Sequence, residues 1–265
     1  MKDEASIVEL ADWLQTPPGQ YLLAWEQQRF DVAVADLFGF HALQVGLPAL
    51  QGLRANRMPH RWLALQHPQE LDLRSGSGSL LSEVDELPFE SSSLDLVLLP
   101  HTLELAPDPH RTLREVERVL RPEGRLIVCG LNPASAWGLR QNLGRLVGHL
   151  PGSTGPRFLP SSGEFIGYWR LRDWLRLLSF EVEAADFGAY APPWHSAAWL
   201  QRWRWIEPIG RYWWPVLGAL YFIVAVKRVH GMRLVGLAKT GKAKRQSRAA
   251  VALNRHHNPS RYGTE

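Results

Sequence analysis

The sequence predicts an α/β fold built on a largely parallel sheet, and three observations carry that expectation. Short apolar runs alternate with longer segments of helical period, and the clearest run, Leu94 to Leu99, is stopped by Pro100. Strands separated by helices need crossover connections, and crossovers make parallel neighbours. The chain has 265 residues, enough to bury the core of one α/β domain with appendages.

Taken in order, Thr16-Pro17-Pro18 reads as a helix start, with prolines where the first turn has no N–H bonds to lose. Leu23, Phe30, Val34 and Leu37 follow at helical spacing, and Gly39 is expected to close the helix. The runs His41 to Gly46 and Trp62 to Gln66 are short enough for buried strands. Arg74-Ser75-Gly76-Ser77-Gly78-Ser79 is a loop by composition. After the Leu94 strand, Pro109 to Leu120 reads as a helix with Leu113, Val116, Val119 and Leu120 on its apolar face. The turn Arg121-Pro122-Glu123-Gly124 leads to a strand from Leu126 to Cys129. Leu171 to Leu178 is predicted helical, Phe180 to Val182 begins a strand, and Tyr221 to Val226 forms a last buried strand.

The composition is that of a soluble globular protein: 45% hydrophobic, 21% charged, with a mean hydropathy of -0.20. The single cysteine, Cys129, excludes an intramolecular disulfide and any multi-cysteine zinc site, so no metal is expected. A reducing, cytoplasmic setting is the natural expectation, and Met1 to Glu9 has no apolar signal-like core. The most membrane-like stretch, Trp213 to Val226, is interrupted by Pro215 and Gly218. It falls short of the about 20 apolar residues a spanning helix needs, so it is read as buried structure. Residues 239–265 carry a net charge of +6 and residues 1–238 a net charge of −2. The basic character therefore sits in a polar tail that is expected to be disordered.

Three ordered segments resemble the class I S-adenosylmethionine-dependent methyltransferases related to ubiquinone-biosynthesis enzymes. They are Leu87-Pro88-Phe89 followed by Ser93 to Val97, His101 to Glu104 with Asp108-Pro109, and Glu115 to Gly124, where Glu123 replaces a glycine. The resemblance implies a Rossmann-like, seven-stranded sheet with its last strand antiparallel. It divides the chain into an N-terminal helical segment at 1–40, a methyltransferase-like domain at 41–238 and the tail. It also implies S-adenosyl-L-methionine as cofactor, lying across the carboxyl ends of the first strands, where open α/β sheets bind ligands.

Two stretches compete for the glycine-rich cofactor loop. Leu71 to Gly78 mimics it closely but lies too near Leu87 for the intervening crossover, so Leu43 to Pro48 is chosen. At that site Gln44 stands where the family has an acid, and of the loop glycines only Gly46 remains, with Pro48 and Leu50 at the other positions. The ribose-gripping acid after the second strand corresponds to Gln66. The adenine-side acid corresponds to Glu83 or Asp85, and the register leaves both open. His101, after the fourth strand, is a candidate for cofactor contact and for orienting or deprotonating a nucleophile, or else a polar loop residue. Asn132, Trp137 and Tyr168 are candidate substrate contacts. The tryptophans of the latter half suggest either an aromatic lid or packing, and packing is taken for most.

The expected function is a methyltransferase acting on a small-molecule substrate. One alternative is an inactive methyltransferase-like binding or scaffold protein, suggested by Gln44, Gln66 and Pro48. A third is an RNA-modifying enzyme, with nucleic acid held by the basic tail.

Overall fold

A computed structural model of the chain describes residues 9–68, 78–148, 159, 165–194 and 196–228. The loop mimic at 71–77 and the tail at 239–265 lie outside the described residues. Residues up to His230 make one compact unit.

The unit is built on one seven-stranded sheet: β1 (His41–Val45), β2 (His60–Leu65), β3 (Ser79–Leu81), β4 (Leu94–Pro100), β5 (Leu120–Leu131), β6 (Phe180–Gly188) and β7 (Leu220–Lys227). Its spatial order is β3-β2-β1-β4-β5-β7-β6. The first five strands are mutually parallel, and β7 runs antiparallel to both its neighbours. The chain moves outward from β1 to β3 and then returns to β4, so the order reverses between β1 and β4. At such a switch point the loops leave the strand ends in opposite directions and open a crevice.

Helix α1 (Pro17–Ala35) begins as the sequence predicts: Thr16 caps it by accepting from Gly19 N at 3.4 Å, with prolines in the first turn. Leu22, Glu26, Phe30 and Val34, four residues apart, form its buried face against the sheet. Gly39 does not close this helix, which ends at Ala35. Instead Gly39 makes room for Asp95, whose Oδ2 accepts from Phe40 N and His41 N at 2.8 and 3.0 Å.

On the opposite face lie α3 (Pro109–Val119) and α5 (Tyr168–Leu177), which follow the short α2 (Thr102–Leu105) and α4 (Ala136–Gly148). Leu113, Val116, Val119, Leu171 and Leu175 are buried there against β4, β5 and β7. The resemblance segments prove to be one bonded unit. Glu115 of α3 accepts from Leu87 N at 2.9 Å, and Arg118 donates to Leu87 O and Phe89 O at 3.1 and 2.9 Å. Asp95 also takes an ion pair from Arg121 at 2.8 Å.

Two further expectations need correction. The turn at Arg121–Gly124 is absorbed into β5 as an irregularity of register, with Glu123 at φ +64° where the family's glycine would be unstrained. The run from Trp213 to Val226 is buried only from Gly218 onward, because Trp213 to Leu217 are exposed. Two short helices precede it, α6 (Ala197–Arg202) and α7 (Ile206–Trp213). No described helix is long and apolar enough to cross a membrane.

Candidate functional site

Gln44 sits in the middle of the sheet with 1% of its surface exposed. Its Nε2 donates toward the carbonyls of Gly46, Leu47 and Leu50 at 3.1, 3.0 and 2.9 Å. Its Oε1 accepts from Gly52 N at 3.0 Å. The amide therefore ties down the whole loop after β1. A carboxylate has no hydrogen to offer three carbonyls, so this loop conformation and an acid at position 44 exclude each other.

The loop itself departs from a strand–turn–helix unit. Residues 46–59 make only turns, and no helix starts among them. Gly46 is at φ +74°, and its N–H donates to Ala64 O at 2.8 Å across to β2. A Cβ on Gly46 would meet nothing nearer than Thr102 Oγ1 at 3.7 Å, so one side of this residue is open. Leu47 follows at φ +47°, and Leu50 is fully buried against Leu22, Phe30 and Leu98. In place of a crossover helix, α1 holds the turns from outside. Gln27 exchanges two hydrogen bonds with the Gln51 backbone at 2.9 and 3.0 Å, and Asp31 pairs with Arg54.

Beside this loop lies a buried ionic cluster. His101 is 2% exposed at φ +55°. Its Nδ1 is 2.8 Å from Glu104 Oε2, and its Nε2 is 2.7 Å from Glu26 Oε1 on α1. Glu104 also accepts from Leu131 N, and His101 N donates to Cys129 O at 2.9 Å. Burial opposes a charge on His101, but the two carboxylates beside it hold its pKa well above the ordinary imidazole value. Burial pushes the Glu104 carboxyl up and the Cys129 and Tyr221 protons toward staying bound. Glu26 Oε2 and Tyr221 Oη are buried with no hydrogen-bond partner. Donor atoms of Glu26, His101 and Cys129 lie within 4.8 Å of one another. Both ring nitrogens of His101 already face carboxylates, however, so the cluster is a hydrogen-bonded charge centre. Thr102, next in the chain, donates to Val45 O at 2.6 Å and joins α2 to the end of β1.

The other sequence candidates separate into two groups. Gln66 follows the last residue of β2, half-buried, and β2 is the immediate neighbour of β1. Glu83 is exposed two residues after β3, whereas Asp85 pairs with Arg111 at 3.4 Å. Asn132, Trp137 and Tyr168 act within the fold. Asn132 Nδ2 donates to Val216 O and Gly218 O at 2.7 and 2.9 Å. Trp137 is 1% exposed and donates to Ala191 O at 2.7 Å. Tyr168 packs edge-on against Phe187. Sequence reasoning missed Glu26 and Glu104, although a glutamate at the centre of the stripe Leu22-Glu26-Phe30-Val34 marks a buried charge in need of a partner.

Comparisons with known proteins agree with this architecture. A family model described as a methyltransferase domain matches residues 63–128. Escherichia coli K12 has a relative, "Uncharacterized protein YafS", 32% identical over 247 residues, covering 92% of this chain and 91% of that protein. The demethylmenaquinone methyltransferase of Chlamydia pneumoniae is 38% identical over 72 residues, 27% of this chain and 29% of its own. Among solved structures, a SAM-dependent methyltransferase from Thermotoga maritima superimposes with a TM-score of 0.60 at 17% identity, covering 85% of this chain and 97% of that one. The chain belongs to the class I S-adenosylmethionine-dependent methyltransferase superfamily.

For a member of this superfamily, the fit of the cofactor to the chain's own residues is partial. Gly46 presents bare backbone and open space at the switch point, as the methionine end of the cofactor requires. The helix N-terminus that would add backbone N–H groups for a carboxylate is replaced by turns. Gly46 follows β1, Gln66 follows β2 and Glu83 lies two residues after β3, each beyond the carboxyl end of a parallel strand.

Proposed function

We propose that the chain is an S-adenosylmethionine-dependent methyltransferase with a small-molecule substrate. The observation that carries this reading is the open, positive-φ backbone of Gly46 at the reversal of strand order. Gly46 would admit the methionine end, Gln66 would accept from ribose hydroxyls as a neutral amide, and Glu83, rather than the paired Asp85, would face the adenine. The bound cofactor would supply an electrophilic methyl group, so the protein's part is to align a nucleophile and exclude water. His101 would act as a positioning residue, fixing α2 and thereby Thr102 against β1. A small substrate agrees with the Chlamydia relative, whose name gives a small molecule as its methyl acceptor.

The test is thermal melting with S-adenosylhomocysteine. A ligand at 100 times its Kd adds about 2.7 kcal/mol to stability, which raises the melting temperature visibly. The Gly46→Val protein should lose that rise. A flat response to millimolar ligand, confirmed by calorimetry, defeats the reading. That outcome would favour the second reading, a binding protein without catalysis, for which Gln44, the buried Leu50 and the turns at 46–59 speak. An RNA-modifying role depends on the tail, and methyl transfer to total RNA would be its signature.

A further inference from the structure

The strands also determine where the segment between β6 and β7 emerges. Gly188 at the end of β6 and Leu131 at the end of β5 both pair with Leu220 at the start of β7. Residues 189–219 therefore leave and re-enter the sheet at the edge formed by the carboxyl ends of the parallel strands. That is the edge on which Gly46 and Gln66 lie.

The inner side of this segment is bonded at several points. Asn132 holds Val216 and Gly218, Trp137 holds Ala191, and Tyr190 Oη donates to Pro215 O at 2.7 Å. Glu207 turns inward to accept from Tyr21 Oη and, at 2.9 Å, from Tyr190 N. Burial, with the charge of Glu207, keeps the Tyr21 phenol protonated and pushes the Tyr190 phenol up to about 12.

The outer side is aromatic. Of the 12 tryptophans in the chain, six lie between residues 194 and 214, and all but Trp203 are exposed. Tyr212 is 83% exposed and Trp213 68%. Single exposed apolar residues are ordinary, but this many exposed rings on one segment, several of them paired ring to ring, mark an interaction site. The charges of this segment are predominantly positive. Arg202 and Arg204 are exposed, Arg211 is exposed beside Asp186, and Glu207 is the only acid from 194 to 217.

We infer that residues 194–217 form a docking surface for an anionic phospholipid bilayer. Indole and phenol rings suit the headgroup layer, where an apolar body sits in the acyl boundary and a polar tip in water. Arginines among them match lipid phosphates in charge and geometry. One signal alone gives marginal binding and stable anchoring takes two, and the net +6 of residues 239–265 supplies a second, electrostatic one. Docked this way, the carboxyl edge of the sheet, with the crevice at Gly46, faces the membrane and can draw amphipathic molecules from it.

The test uses the full-length protein without cofactor, so that its outcome is independent of the methyltransferase reading. Vesicles of phosphatidylcholine alone and of phosphatidylcholine with phosphatidylglycerol are floated with the protein, and brominated lipids report tryptophan depth by quenching. The protein should float with the anionic vesicles and its fluorescence should be quenched. The variant carrying W205S, W213S and W214S should bind at least about tenfold more weakly. The variant R202E with R204E should show a weakened anionic preference, and both should keep the wild-type melting temperature because these side chains are exposed. Failure to float overturns the proposal. So does equal binding by the tryptophan variant, which would leave the tail alone responsible. A dimer of the wild type that falls to monomer in the tryptophan variant, without vesicle binding, would assign the surface to a second copy instead.

Discussion

Gln44 stands where the family resemblance implies an acid, and its surroundings explain why an amide fits there. Three carbonyls converge on Nε2 and one N–H on Oε1, a pattern only a carboxamide can satisfy. Gln44→Glu should therefore destabilise the fold by about 3 kcal/mol at neutral pH, since a buried carboxylate would face acceptors. Urea denaturation at pH 7 measures this, and an unchanged midpoint would mean the loop rearranges freely. His101 makes the complementary case. Removing its imidazole in His101→Ala leaves Glu26 and Glu104 buried together, which should cost about 3–5 kcal/mol. The pH dependence has a definite sign. A pKa raised by folding gives stability that is complete below the ordinary imidazole value of 6.5 and is lost as pH climbs through the raised one. The raised Glu104 acts in the same sense from 4.5 upward. The wild-type melting temperature should thus decline on the alkaline side of pH 6.5. The imidazole part of that slope should be missing in His101→Ala, and an identical slope in both proteins would refute the assignment.

Elements were more legible in the sequence than the chemistry between them. The run Leu94–Leu99 is apolar apart from Asp95 near its start because both faces of a parallel sheet are covered, and that pattern is visible without coordinates. The resemblance segments were legible for a related reason: Glu115, Arg118 and Asp95 bond the scaffold to itself, so their spacing is tied to the fold. The strand at β1 was expected from the sequence, but the turns that follow it were not foreseen, because the partner that replaces the crossover helix, α1, is distant in sequence. The exposure of Trp213 to Leu217 was missed likewise, since an apolar run does not declare whether protein covers it. The loop mimic ending at Gly78 has its own constraint. Gly78 sits at φ +108°, and a Cβ there would lie 2.6 Å from Arg61 O, so this glycine serves β2–β3 geometry. If α1 does replace the crossover helix, its buried face carries much of the stability on that side. Phe30, fully buried and edge-on to Phe222 with ring centroids 4.9 Å apart, is the place to test this. Phe30→Ala should cost about 3–5 kcal/mol in urea denaturation, and a loss below 1 kcal/mol would show that α1 is peripheral to the core.

For the whole molecule, the charge distribution separates a near-neutral body from a basic end. Residues 239–265 combine seven cations with few large apolar side chains. From composition alone, the expectation is that this end contributes little buried surface against an ordering entropy of about 1–2 kcal/mol per residue for the backbone. The last described strand, β7, is already paired on both sides, with β5 and with β6, and it ends at Lys227. Lys227 is itself fixed there, donating to Glu117 O and Leu120 O. A cut after Ala238 lies 11 residues beyond that strand and removes none of its pairing. Truncation at this point should leave the melting temperature and any S-adenosylhomocysteine response unchanged. It should weaken retention on polyanions, most at low salt where screening is least. Differential scanning calorimetry and heparin elution of the two proteins at two salt concentrations separate the outcomes. A drop of several degrees would mean that the end of the chain packs onto the body and belongs to its core. Identical elution would mean that the arginines of the body, Arg202 and Arg204 among them, govern polyanion binding without help from the tail.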